Sequence, residues 1–202
     1  MKREHPLHLV IGDILGRLDI GDVLLSPECE YRGTRHVQLF CDKPFTSGCR
    51  LCKADAIIIL NGEVKVIIEI EESQIAPVHL CGKAVATALC SHAKVQSRLF
   101  PFGNAVLFVQ IINSDKFQKE GSKRQSSKLP QCDNLQKRLP HVLSQLGKRV
   151  EYSIHYGNVT KFQEHQDEDE LLGEITQFLS SPEPATPVGG DLVDRTPWFV
   201  AT

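Results

Sequence analysis

Three acidic residues placed on apolar runs mark where this chain can do chemistry: Asp55, and Glu69 with Glu71. Asp55 opens the run DAIIIL and the glutamates close EVKVIIEIE, two β-branched stretches that flank Asn61-Gly62, a strong hairpin marker. Carboxylates gathered at the end of an apolar sheet repel one another and stay there only if protonated or neutralised. A hard divalent cation neutralises them, and Mg²⁺ typically takes one or two carboxylates while keeping several waters. Such an ion polarises a phosphoryl oxygen and lowers the pKa of bound water, which is what phosphodiester hydrolysis requires.

Whether the acids meet depends on the turn. Alternate strand residues share a face, so Glu69 and Glu71 lie together, opposite Ile68 and Ile70. A two-residue Asn61-Gly62 loop pairs Leu60 with Glu63 and sets Asp55 opposite Ile68, on the wrong face from Glu69. A three-residue loop with Gly62 at a bulge pairs Ile59 with Glu63 and sets Asp55 opposite Ile67, beside Glu69. The second is expected, because it gathers Ala56, Ile58, Val64, Val66 and Ile68 on one apolar face.

The cysteines offer a different chemistry. Cys41, Cys49 and Cys52 precede Asp55 as C-x7-C-x2-C, and the last pair has the chelating spacing of a zinc knuckle. Cys29, His36, His79 or Cys81 could complete a structural Zn²⁺ site, against a reading as reduced thiols packed like small apolar groups. Cys90 and Cys132 stand at helical core positions. His92, His141, His155 and His165 show no mutual metal spacing. A polar stretch from Lys116 to Leu129 carries five cations, and with Lys137, Arg138, Lys148 and Arg149 it forms either a phosphate-binding face or an ordinary solvated surface.

The elements that must position these groups follow from periodicity. Residues 6–19 read as an amphipathic helix, a short strand covers 36–40, and strands cover about 53–60 and 63–71. An Ala-rich helix is expected over 77–99, then a strand buried on both faces at 105–113, a helix near 131–146, the strand RVEYSIHYG and a last helix in DEDELLGEITQFLS. The fold class is therefore α/β, a central mixed β-sheet built from a hairpin and meander plus parallel strands and flanked by helices. Residues 1–180 form one domain and 181–202 a disordered, Pro- and Gly-rich tail.

Composition bounds what such a domain can be. The chain has 202 residues, 41% apolar and 24% charged, which excludes wholesale disorder. Its formal charge is −2, so a nucleic-acid partner would be met by a local patch rather than a global field. No run approaches the roughly 18 apolar residues of a membrane span, and the N-terminus lacks the pattern of a signal peptide, so no membrane partner and a cytoplasmic location are expected. Seven cysteines in such a chain are expected to be reduced.

Taken together, Asp55, the hairpin, Glu69-Ile70-Glu71 and the following helix and buried strand resemble the core of the PD-(D/E)xK nuclease superfamily, which includes many restriction endonucleases. The resemblance covers about residues 36–113. It implies a restriction-endonuclease-like fold and a Mg²⁺- or Mn²⁺-dependent DNA endonuclease that can act as a homodimer, with the metal on Asp55, Glu69 and the Ile70 carbonyl. Two positions depart from the family: Ala54 stands where Pro is frequent, and Glu71 where Lys is usual. Glu71 would then orient or deprotonate the attacking water, and Lys53 or Lys83 would supply the missing cation. The competing expectation is a catalytically inactive binding or regulatory protein that keeps the fold, with or without structural zinc.

Overall fold

A computed structural model describes residues 5–30, 36–43, 45–73, 75–117, 128–146, 149–164 and 166–182. The basic residues Lys119, Lys123, Arg124 and Lys148, and the expected tail from 183 onward, lie outside them.

Helix α1 (Pro6–Leu15) starts on proline, whose fixed φ suits the first helical position, and buries Leu7, Ile11, Ile14 and Leu15 along one stripe. Strand β1 (Asp22–Leu25) follows, then β2 (Val37–Phe40) and β3 (Arg50–Ala54). The hairpin is β4 (Ala56–Leu60) and β5 (Glu63–Glu71). Helix α2 (Pro77–Ala88) again begins on proline. Strands β6 (His92–Val95) and β7 (Arg98–Asn113) form a second hairpin, and α3 (Lys128–Ser144), β8 (Arg149–Gly157), α4 (Val159–Gln163) and α5 (Gln166–Ser180) complete the described chain.

The eight strands form one open mixed sheet in the order β1-β4-β5-β7-β6-β2-β3, with β8 also pairing β7. β1, β4 and β5 pair antiparallel, with β2 and β3 intervening in the chain between β1 and β4, and β5, β7 and β8 run parallel. Strand β7 joins two regions, pairing β6 through Arg98–Pro101 and β5 and β8 through its later residues. Ile57, Ile67 and Phe108 face α2 and α3, while Ile58, Ile68 and Val109 face α1, α4 and α5. These six side chains are fully buried, each worth about 1.5–3 kcal/mol of transfer free energy. No helix among the described residues is long and apolar enough to cross a membrane.

Three expectations need correction. The helix expected over 77–99 stops at Ala88, because His92-Ala93-Lys94-Val95 alternates as a strand and Gln96 turns the chain at φ 56°. The strand expected at 53–60 is two strands: Ala54 pairs with Val37 of β2, Ala56 with Ile68 of β5, and the chain bends between them at Asp55. The hairpin loop has two residues, not three. Asn61 and Gly62 both take positive φ, 56° and 80°, as a type I′ turn demands, and Leu60 pairs with Glu63.

The extra residue nevertheless exists, in a different place. Ile59 pairs with Val64 but Ile58 pairs with Val66, so Lys65 is a bulge within β5. That slip moves every later pair by one and directs Glu69 and Glu71 to the α2 face.

Candidate functional site

The bend at Asp55 is where β3 departs toward β2 and leaves the edge of β5 uncovered. Asp55 fills the gap with its own groups. Its N–H donates to Ile68 O at 3.1 Å, its carbonyl accepts from Ser26 N at 2.7 Å, and its Oδ2 accepts from Ile70 N at 2.8 Å. A side chain thus takes the place of the next backbone partner. Because N–H and C=O of one strand residue point to the same edge, the Ile70 carbonyl lies on the same edge of β5 as its N–H.

On the α2 face, Glu69 and Glu71 are almost fully buried. Lys83 of α2 spans them, its Nζ 2.7 Å from Glu69 Oε2 and 2.8 Å from Glu71 Oε1. Burial pushes the Glu69 carboxyl well above its ordinary pKa, and the charge of Asp55 pushes it further, against the pull of Lys83. Burial works against the charge on Lys83, but Glu69 and Glu71 outweigh it and hold the ammonium above its usual value. Two buried oxygens of the pair have no hydrogen-bond partner: Glu71 Oε1, which meets Lys83 only as an ion pair, and Glu69 Oε1.

Asp55 also faces α1. His8, buried in that helix, brings Nε2 to 3.6 Å from Asp55 Oδ2 and 3.8 Å from Glu28 Oε2. Its Nδ1 and that of His5 each lie 3.1 Å from Glu72 Oε2. Burial lowers the His8 pKa, but Asp55 and Glu72 overcome it and leave the imidazole above its ordinary value.

The expected residues therefore separate. Asp55, Glu69, Ile70, Glu71 and Lys83 come together around the end of β5, with Asp55 in the plane of the sheet rather than beside Glu69 on one face. Their three carboxylates do not form a group within 4.8 Å. Among the described residues the groups of three that do are His5, His8 and Glu72, and His8, Glu28 and Asp55. Lys53 is exposed on β3, opposite Gln38, and makes no described contact with the acids, because the bend breaks the alternation that would have aligned it with Asp55.

The four cysteines do not assemble either. Cys41 Sγ donates to Cys49 O at 3.3 Å and Cys49 Sγ to Lys43 O at 3.9 Å. Cys52 lies 3.9 Å from Thr87 Oγ1 on the α2 side, whereas Cys29 is buried on the α1 side beside Ser26. A hydrogen bond from Cys90 lowers the Cys52 pKa despite its burial. His36 and His79 are exposed, and no cysteine belongs to a described group of three metal-type donors.

His8, His5 and Glu72 escaped the sequence reading. The available signal was His5 and His8 three apart at a helix start, on one face, with an acid next to the Glu69-Ile70-Glu71 run. No protein-family model, curated protein or solved structure matches this chain.

Proposed function

We propose that the chain is a Mg²⁺-dependent DNA endonuclease built on a restriction-endonuclease-like core. An antiparallel β1-β4-β5 unit after α1, followed by α2 and by β7 parallel to β5, supports the fold part of this reading. The observation that carries the function is the buried Glu69 Oε1 without a hydrogen-bond partner, on a carboxylate close enough to Asp55 to feel its charge, at the strand end where Asp55 Oδ2 accepts from Ile70 N.

Those groups fit a hard cation. Asp55, Glu69 and the Ile70 carbonyl supply oxygen donors only, which suits Mg²⁺ or Mn²⁺. Bound there, the ion would polarise a phosphoryl oxygen and supply a hydroxide at neutral pH. The chain's own residues do the rest. Lys83 takes the part of the lysine absent from position 71, and its ammonium is placed to offset the extra charge of a pentavalent phosphorus. Glu71, held against Lys83, orients the attacking water through its carboxylate. His8 and the Ile70 N–H fix the Asp55 carboxylate from two sides. The exposed cations Lys137 and Arg138 on α3 offer phosphate contacts. The proposal places the enzyme in the cytoplasm, where seven free thiols stay reduced, and allows a homodimer with one centre for each DNA strand.

One observation favours a second reading, a DNA- or protein-binding module without catalysis. Lys83 already pairs with both glutamates and compensates one of their two charges with no metal. Incubating supercoiled plasmid with Mg²⁺ or Mn²⁺ separates the two. Cutting that is lost in Asp55→Ala supports the enzyme, and intact plasmid with either metal sinks it.

A further inference from the structure

Glu72 follows the last residue of β5 and crosses to the start of α1. Its Oε1 accepts the Leu7 N–H at 3.0 Å, which caps the first turn. Its Oε2 does something a cap does not need, lying 3.1 Å from both His5 Nδ1 and His8 Nδ1. All three ligand atoms are within 4.8 Å of one another.

Two ligands about 2.05 Å from a tetrahedral ion stand about 3.3 Å apart. The nitrogen-to-oxygen separations here are already close to that. Two imidazole nitrogens and one carboxylate oxygen are the donor set of Zn²⁺ and its neighbours rather than of Mg²⁺. A ligating histidine ordinarily turns its other nitrogen to a carboxylate, which fixes its tautomer and ring orientation. His8 turns Nε2 toward two carboxylates, 3.6 Å from Asp55 Oδ2 and 3.8 Å from Glu28 Oε2, each just beyond hydrogen-bond length.

We infer that His5, His8 and Glu72 form a transition-metal site, distinct from the oxygen centre at Asp55 and Glu69, that takes Zn²⁺ or a similar borderline divalent ion with one position open. The side chain of His5 is 28% exposed and that of His8 5%, so the ion enters past His5 and rests on His8. An ion on Nδ1 leaves the His8 proton on Nε2, facing Asp55. Occupancy of this site therefore holds Asp55 from the α1 side, while the Ile70 N–H holds it from the strand.

Co²⁺ is the probe, because its visible absorption reports ligand type and number. The metal-stripped 202-residue chain should bind one Co²⁺ with the intensity of a four- or five-coordinate sphere and without a thiolate charge-transfer band, and Zn²⁺ should displace it. His5→Gln and Glu72→Gln should each weaken binding by more than the roughly 10- to 100-fold lost with an outer partner. His5 precedes the helix and is partly exposed, so its variant should keep the wild-type far-ultraviolet spectrum. Absence of Co²⁺ binding, a thiolate band, or unchanged affinity in the folded His5→Gln variant would overturn the inference. The readout is independent of DNA cutting. A chain that binds Co²⁺ here but leaves plasmid intact keeps this site and loses the nuclease reading, and the reverse result does the opposite.

Discussion

Asp55 and Ile70 are joined by a hydrogen bond of 2.8 Å from backbone N–H to carboxylate, across the point where β3 abandons β5. The bond means that Asp55 has two separable roles, one structural and one chemical. Its oxygen completes the edge of β5, and its charge faces Glu69 and His8.

Asp55→Asn and Asp55→Ala should pull these roles apart. Asparagine keeps an oxygen to accept the Ile70 N–H, so its stability in a urea titration should stay within about 1 kcal/mol of wild type. Alanine leaves that N–H unmet and should cost about 1.5–3 kcal/mol, the range for a bond to a charged acceptor. Plasmid cutting should fall to background in both. Asparagine that cuts as wild type does would show that the charge is not a metal ligand.

Lys83 and Lys53 make a contrasting pair. Lys83→Met strands two buried glutamates without their counter-charge and should destabilise the chain by about 3–5 kcal/mol at neutral pH. Burial and Asp55 already raise the Glu69 pKa, and losing Lys83 raises it further. A raised carboxyl binds its proton more tightly in the native state than in the unfolded one. The native state is thus favoured below the ordinary Glu value, and this advantage is lost as pH rises through the folded value. The Lys83→Met penalty should therefore shrink on acidification. Lys53→Ala, on the exposed side of β3, should change neither stability nor cutting. Loss of cutting in Lys53→Ala at wild-type stability would return that lysine to the site.

Much of this centre could be read from residue types, and the remainder could not, for a physical reason. The Asn61-Gly62 turn, β5 and the buried part of β7 follow from local chemistry: positive φ at the turn and β-branched residues on either side. The bulge at Lys65 does not, because Val64-Lys65-Val66 continues the alternation without a break and only pairing with β4 shows the extra residue. The three-residue loop expected to set Asp55 opposite Ile67 does not form; the bulge instead brings Asp55 level with Glu69. The bend at Asp55 is equally silent, since it arises from competition between β2 and β5 for neighbouring residues. His8 and Glu72 meet across 64 positions, and no local pattern announces such a contact.

Gly12 tests how closely α1 must approach. In an open helix Ala is about 1 kcal/mol better than Gly. Here a Cβ on Gly12 would sit 1.9 Å from the Cys29 carbonyl oxygen, a backbone atom that cannot swing away. Overpacking of that kind costs about 1–3 kcal/mol or more and outweighs the propensity gain. Gly12→Ala should lower the urea midpoint and, by lifting α1, weaken Co²⁺ binding at His8. A stabilised variant would mean that the helix sits further from the loop than described.

Glu174 sets an acid limit remote from the site. On α5, its Oε2 accepts from Ser153 Oγ at 2.8 Å and lies 2.6 Å from His155 Nε2, tying the last helix to β8. Burial raises its pKa, but the bonds to His155 and Ser153 outweigh burial and leave it below the ordinary 4.5. A depressed carboxyl binds protons more tightly in the unfolded chain, so its contribution is full above that ordinary value and lost as pH falls through the folded one. Its side chain is 35% exposed, and solvent screening keeps the effect modest. In urea titrations across the acid range, wild type should lose stability more steeply than Glu174→Gln below the ordinary Glu value, and the two curves should run parallel above it. Parallel curves throughout would show that the α5–β8 contact does not hold a charged Glu174 in solution.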